Sequence, residues 1–400
     1  MTTSIIVTFC ILLLIAYVFD LTSSKTKIPS AILLLLLGWI ARQVSEVAKI
    51  QIPMLTPLLP VLGTVGLILI VLEGSLELEL NASKAPIIKK SVIVALVPLF
   101  VLSFLLAYFF NYFGNTTFKD SLGNAIPLCV ISSSIAIPSV RNIMSANKEF
   151  IIYESSLSDI FGVIFFNFVV LNSTIGANSF GIFFLDILII IIISFVATLG
   201  LAYLLSKIDH PIKFAPIILL VILIYVIAKE YHLPALIFIL IFGLFLGNLD
   251  ELKWWSWINK LKPQELNREV NKFKELTMEA TFLIRTLFFI LFGYLIETRE
   301  ILNTHTLLWA VGIVAGIFII RAIILKLTRL PLTPLLFIAP RGLITILLFF
   351  AISPQQSSML VNKSLIIQII LLTALVMMFG LMKNQPKNTD TKTPETFGGK

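Results

Sequence analysis

Pro127-Leu-Cys-Val-Ile-Ser-Ser-Ser-Ile-Ala-Ile-Pro138 reads as a membrane helix broken in its middle. The stretch is apolar, yet a proline stands at each end and Ser132, Ser133 and Ser134 interrupt the centre. Proline removes an N–H from the helical ladder and its ring clashes with the preceding turn. A second stretch repeats the pattern: Pro331-Leu-Thr-Pro-Leu-Leu-Phe-Ile-Ala-Pro-Arg-Gly342. The two lie an odd number of spans apart, fifth and twelfth, so they enter a bilayer from opposite sides. Paired Pro/Gly-interrupted segments in matching halves point to a transporter built of inverted repeats, with its binding site near the midplane.

The flanking sequence agrees. Of 400 residues, 58% are hydrophobic and only 13% charged, and the mean hydropathy is +1.01. A soluble chain carries about 25% charge, and its helices keep a polar face that most apolar runs here lack. This composition excludes a soluble enzyme, a secreted disulfide scaffold and a disordered protein. Unbroken apolar runs such as Ile32–Leu37 exclude the alternation of a membrane barrel. What remains is an all-α polytopic membrane protein. At about 20 residues per span, about thirteen segments are expected: 4–20, 28–44, 55–76, 91–113, 121–145, 150–172, 181–206, 213–230, 234–248, 276–298, 305–325, 331–353 and 363–383. The organisation read from them is a first half over 1–172, a linker span over 173–212, a second half over 213–383, and a polar, disordered tail over 384–400.

Lysine and arginine set the orientation. Loops on one side, with the tail, hold about 20 of them and the other side about six. The N-terminus is therefore expected outside and the C-terminus in the cytoplasm, in an inner cell membrane. The net charge of +8 fits loops facing anionic lipid rather than nucleic acid. The long loop 249–275 carries Trp254, Trp255, Trp257, Lys260, Lys262, Lys272 and Lys274 and reads as an interfacial linker between the halves. Cys10 and Cys129 lie in apolar runs and His210, His232 and His305 stand singly, so neither a disulfide nor a metal framework is implied. No phosphate-binding loop and no cofactor motif occurs.

A charge at bilayer depth is expensive and by default marks a pathway or relay. Glu154 and Asp159 lie in Tyr153-Glu-Ser-Ser-Leu-Ser-Asp-Ile-Phe-Gly162, Arg285 in Thr281-Phe-Leu-Ile-Arg-Thr, and Arg341 at the second break. Ser155, Ser158 and Gly162 share a small, polar stripe with Asp159. Glu154 stands about 140° around the helix from Asp159, so the two acids need not share a partner. A hard monovalent cation takes oxygen ligands. Asp159, the hydroxyls of Ser133, Ser134, Ser155 and Ser158, and carbonyls freed at a break can supply them. The same carboxylate can hold a proton instead, and that competition suffices to couple cation and proton exchange. Glu154 and Arg341 read as a buried salt bridge. Arg285 is either a helix-end partner or a charge that sets coupling. Glu73, Asp186, Glu279 and Arg321 read as structural residues near span ends.

Five stretches, in order, carry a resemblance. They are Leu67–Leu80 (with Leu72-Glu-Gly-Ser-Leu-Glu-Leu-Glu), 132–140, Glu154 to Asp159, Phe288-Phe-Ile-Leu-Phe-Gly293 and Pro340-Arg-Gly342. Together they resemble the monovalent cation:proton antiporter superfamily, including its NhaP-like and Kef-like members. The resemblance implies two inverted repeats with two crossed, unwound helices, a homodimer, a mobile core and elevator-like exchange of Na⁺ (or K⁺ or Li⁺) for H⁺ without a cofactor. It also implies that Asp159 carries cation and proton and that Glu154 pairs with Arg341. Ser158 departs from the Asn of the NhaP-like signature, Ser132-Ser-Ser replaces a Thr-Asp-Pro, and Arg285 lies near where an electrogenic branch keeps a lysine. One titrating carboxylate implies electroneutral exchange. The rivals are a proton-coupled carrier of an organic anion, with Arg285 and Arg341 as ligands, a cation channel, and a membrane-embedded enzyme.

Overall fold

The computed structural model describes residues 2–26, 28–48, 57–140, 145–172, 175–208, 210, 212–249 and 263–383. Among them there is no β-strand. The helices are α1 (Thr2–Thr26), α2 (Ser30–Val47), α3 (Leu58–Glu77), α4 (Ala85–Gly114), α5 (Phe118–Cys129), α6 (Ser133–Ser139), α7 (Ser145–Leu171), α8 (Ala177–Lys207), α9 (Phe214–Glu230), α10 (Leu236–Gly247), α11 (Pro263–Tyr294), α12 (Thr298–Ile301), α13 (Thr304–Leu327), α14 (Leu343–Ala351) and α15 (Lys363–Lys383).

Among the described residues, nine helical stretches are long and apolar enough to cross a bilayer, with Phe118–Ser139 taken as one; Val7–Ser23 and Leu236–Gly247 are shorter apolar helices. Only helices that pair their own backbone groups, or closed barrels, survive in lipid, and the chain is an integral membrane protein. Local chemistry marks several helix ends. The Thr117 hydroxyl accepts from the Asp120 N–H at the start of α5, and the Asn303 side chain accepts from the His305 N–H at the start of α13. Both are N-caps of a favoured type. α4 ends on Asn115 in the left-handed region at φ 50°.

Two bundles emerge from the packing. α1, α2, α3, α8, α9, α10 and α11 pack chiefly on one another, whereas α4 to α7 pack with α13, α14 and α15. α3 is the helix of the first bundle that reaches α6, α7 and α14 of the second. Without a hydrophobic drive between helices in lipid, close backbone approach through small residues holds such bundles together. At the α2–α11 contact it is reciprocal. A Cβ on Gly38 would lie 2.1 Å from the Ile290 carbonyl oxygen, and one on Gly293 would lie 2.3 Å from that of Leu35.

The fold corrects the sequence reading in its long loop. Residues 263–275, expected in a linker loop, form the first turns of α11, continuous with the tenth apolar segment. Their charges satisfy one another along the helix and beside it. Lys272 lies 3.1 Å from Glu269, which is also 2.7 Å from Lys213. Trp254, Trp255, Trp257, Lys260, Lys262 and the tail 384–400 lie outside the described residues. The twelfth segment, read as interrupted, is a 3-10 turn (Leu335–Phe337), a non-helical stretch and then α14.

Adding a side chain at the α2–α11 contact should force two backbones apart. Gly38→Val or Gly293→Val is expected to cost about 1–3 kcal/mol, read as an earlier thermal melt of the purified protein in detergent. Gly312→Val, where a Cβ meets nothing within 4 Å, should leave the melt unchanged.

Candidate functional site

The two breaks lie against each other. α5 stops at Cys129, Val130 and Ser132 are extended, and α6 restarts at Ser133. Facing this, the chain after the Leu335–Phe337 turn runs without helix to Gly342, the N-cap of α14. The Ser132 N–H donates to the Pro340 carbonyl at 2.9 Å, a backbone bond from one break to the other. Gly342 fits this contact because a Cβ there would meet Ile135 at 2.7 Å and the Ser132 hydroxyl at 2.9 Å.

Breaking helices at bilayer depth strands carbonyls and N–H groups that lipid cannot satisfy. Arg341 answers the carbonyls. Its buried guanidinium donates from Nε to Leu128 at 2.8 Å, from Nη1 to Ala339 at 2.7 Å and from Nη2 to Cys129 at 3.1 Å. Leu128 and Cys129 close α5, so the cation stands at the negative end of that helix. The Arg341 N–H donates to the Thr373 hydroxyl of α15. On the N–H side, Ile131 donates to the Ser158 hydroxyl at 2.9 Å.

Asp159 answers the next N–H. Its Oδ2 accepts from the Ser133 N–H at 3.2 Å and from the Ser133 hydroxyl. Its Oδ1 is buried without a hydrogen-bond partner. A carboxylate with one oxygen anchored and one unused, beside freed backbone, has the chemistry to accept a cation or a proton. The other expected ligands are not bonded to it. Ser158 holds the break, Ser155 donates to its own helix at the Ile151 carbonyl, and Ser134 is bonded to Ser132.

The expected Glu154–Arg341 pair is replaced by Glu154–Arg321. Arg321 Nη2 donates to Glu154 Oε2 at 2.9 Å, Nη1 engages Oε1, and Nε donates to the Leu335 carbonyl. The reason is geometric: Arg341 is committed to the carbonyls of the break, while α13 carries Arg321 to α7. Arg321, read from sequence as an end residue, is 2% exposed. The signal was present, since it is the one charged residue between Thr304 and Leu325 in an apolar run. Arg285 reaches Asp20 of α1 at 3.8 Å, an acid the sequence reading passed over. Glu73 is half-buried. Beyond α3, Lys84 lies 2.8 Å from both Glu79 and Glu149. The hydrogen bonds to Glu149 and Glu79 hold its ammonium well above the ordinary lysine range. Among the described residues no group of three His, Cys, Asp or Glu side chains stands ready for a metal ion.

Residues 10–383 match the family model for the transmembrane sodium/hydrogen exchanger. This chain belongs to that family. The resemblance read from its motifs is thereby borne out, and with it the cation:proton antiporter fold. The solved sodium proton antiporter MjNhaP1 from Methanocaldococcus jannaschii at pH 8 superposes with a TM-score of 0.69 at 17% identity, over 95% of this chain and 100% of that one. An electron-microscopy structure of the same antiporter gives 0.65 at 18% identity, over 96% of this chain and 95% of that one. No curated protein matches in sequence. Exchangers of this family are transporters rather than enzymes; they use no cofactor, and the monovalent cation is substrate.

In this exchanger Glu154→Gln would leave the Arg321 charge buried without its counter-ion. It is expected to lower stability by about 3–5 kcal/mol, whereas replacing both residues by Met should recover most of that loss. Thermal unfolding of both variants in detergent checks this. If instead Arg341→Met restores the Glu154→Gln protein, the assigned partner is wrong.

Proposed function

We propose that the protein is a secondary antiporter that exchanges Na⁺, or K⁺ or Li⁺, for H⁺, with Asp159 holding either passenger in turn. The observation that carries this reading is the Asp159 carboxylate at the meeting of two broken helices, one oxygen fixed by Ser133 and the other buried and unpaired. Ser133 is the hydroxyl ligand it already has. Ser158, Ser155 and Ser134 act through the shape of the break or join the cation after local rearrangement.

The charge balance favours electroneutral exchange. Glu154 and Arg321 cancel each other, and Arg341 is a fixed cation. A metal ion or a proton on Asp159 then gives the loaded site the same charge on both legs. Arg285 balances Asp20 in the other bundle and leaves the count unchanged. The two-bundle packing supports an elevator-like movement, with α4 to α7 and α13 to α15 as the moving core and the remainder as scaffold. The inverted halves 1–172 and 213–383, joined by the span in 173–212, supply the thirteen crossings. The N-terminus lies outside, the tail in the cytoplasm, and two copies associate in the inner membrane. The organic-anion alternative loses support because the guanidinium of Arg341 is already donated to backbone carbonyls.

Proteoliposomes with a pH dye inside test the proposal. Asp159→Asn should abolish Na⁺-, K⁺- and Li⁺-driven proton movement while the protein still folds, and wild-type exchange in that variant would sink the assignment. Ser133→Ala should keep exchange but raise the KM for the cation, and that KM should rise in proportion to proton concentration. Exchange at imposed zero and non-zero voltage should proceed at equal rates; a voltage-dependent rate would overturn electroneutrality.

A further inference from the structure

Asp186 does not belong to the transport site, and the sequence reading placed it near a span end. It lies nine residues into α8, about 14 Å from the start of that helix. It is the one charged residue between Ala177 and Ser206. An ionisable side chain at that depth is by default a functional hypothesis. Asp186 is half-buried and lines a cavity of about 230 Å³ between α7, α8 and the turn that joins α9 to α10.

His232 of that turn lines the same cavity and lies close enough to interact with Asp186 electrostatically. Its position is fixed by the backbone. It is left-handed at φ 59°, the His232 N–H donates to Lys229 and the Leu233 N–H donates to Ala228, the closure that ends a helix firmly. Asn167 of α7 and Asn172 just after its end contribute side-chain amides. One N–H of the Asn172 amide donates to the Phe168 carbonyl, and its side-chain oxygen is an acceptor. Phe168 and Phe183 pack edge to face, 4.9 Å between centroids, as an aromatic wall.

The cavity is separate from Asp159. Its α7 residues Ile164, Asn167, Phe168 and Leu171 centre about 130° around the helix from Asp159, and Asn167 is about 12 Å further along. It lies on the seam between the two bundles, since α7 belongs to one and α8 and the α9–α10 turn to the other.

The chemistry selects the occupant. A carboxylate disfavours anions, and acceptor oxygens beside it favour a donor-rich cation. A metal ion would find Asp186 and His232 but no third ligand of its usual kind among the described residues. The volume is also too large for a bare ion: a cavity of about 150 Å³ already takes benzene. We propose that this cavity binds an organic ammonium ion, its charge on Asp186, its N–H groups on the amide oxygens of Asn167 and Asn172, and its apolar body against Phe168 and Phe183. The ammonium can arrive on a free amine from water or on the headgroup of an aminophospholipid.

The test uses the full-length protein purified in detergent, with binding read by calorimetry and so independent of transport. Benzylammonium should bind, and benzyl alcohol, of equal size without the charge, should bind about tenfold more weakly or worse. Asp186→Asn should lose the preference for the amine, Asn167→Leu should weaken binding, and Asp159→Asn should retain it. Equal affinity for the alcohol, or undiminished amine binding by Asp186→Asn, would overturn the proposal. A second arm compares the protein in nanodiscs of phosphatidylethanolamine and of phosphatidylglycerol by native mass spectrometry. Retained phosphatidylethanolamine that Asp186→Asn releases assigns the site to a lipid headgroup. Benzylammonium binding without such retention assigns it to a free amine. Binding of neither removes the site while leaving the role of Asp159 untouched.

Discussion

Backbone groups cut loose inside a membrane must find partners within the protein, and the centre of this molecule is organised around that demand. Two helices stop in mid-bilayer at 130–132 and 338–342. Arg341 takes three carbonyls, Ser158 and Asp159 take N–H groups, and Ser132 bonds to Pro340 across the gap. The same interactions that make the breaks tolerable leave one carboxylate oxygen buried and unused. Structural satisfaction and the proposed ion chemistry therefore share a single set of atoms.

The helix that carries Asp159 is held from several directions. Five residues before Asp159, Glu154 locks α7 to α13 through Arg321, which also donates to the Leu335 carbonyl in the approach to the second break. A Cβ on Gly162 would press on Val130 at 2.3 Å, so α7 meets the first break closely. Fixing α7 to both broken segments makes the site a rigid piece, as the proposed elevator-like exchange requires. The scaffold bundle is tied instead by glycine contacts and by Asp20–Arg285. α7 also serves a second surface: turned away from Asp159, it walls the cavity that holds Asp186.

Much of the site was legible from spacing. Asp159, its serine stripe and the two interrupted segments stand out because each breaks a local rule, a charge or a proline where lipid allows neither. What spacing cannot give is the partner of a long side chain. Glu154 and Arg321 lie 167 positions apart, and choosing between two buried arginines depends on which helix crosses which. The first turns of α11 were missed for a related reason. Their polar sequence looks like a loop until Lys213 and Lys272 are seen beside Glu269.

By itself the sequence determined that the chain crosses a membrane as helices, that two of them are interrupted, and that one acid stands at the interruption. Composition and proline placement act locally and are read locally. The tertiary structure alone decided that Arg341 serves carbonyls, that Arg321 serves Glu154, that only Ser133 of four candidate serines bonds to Asp159, and that Asp186 faces a cavity. Those are choices among partners distant in the chain, made by packing rather than by any neighbouring residue.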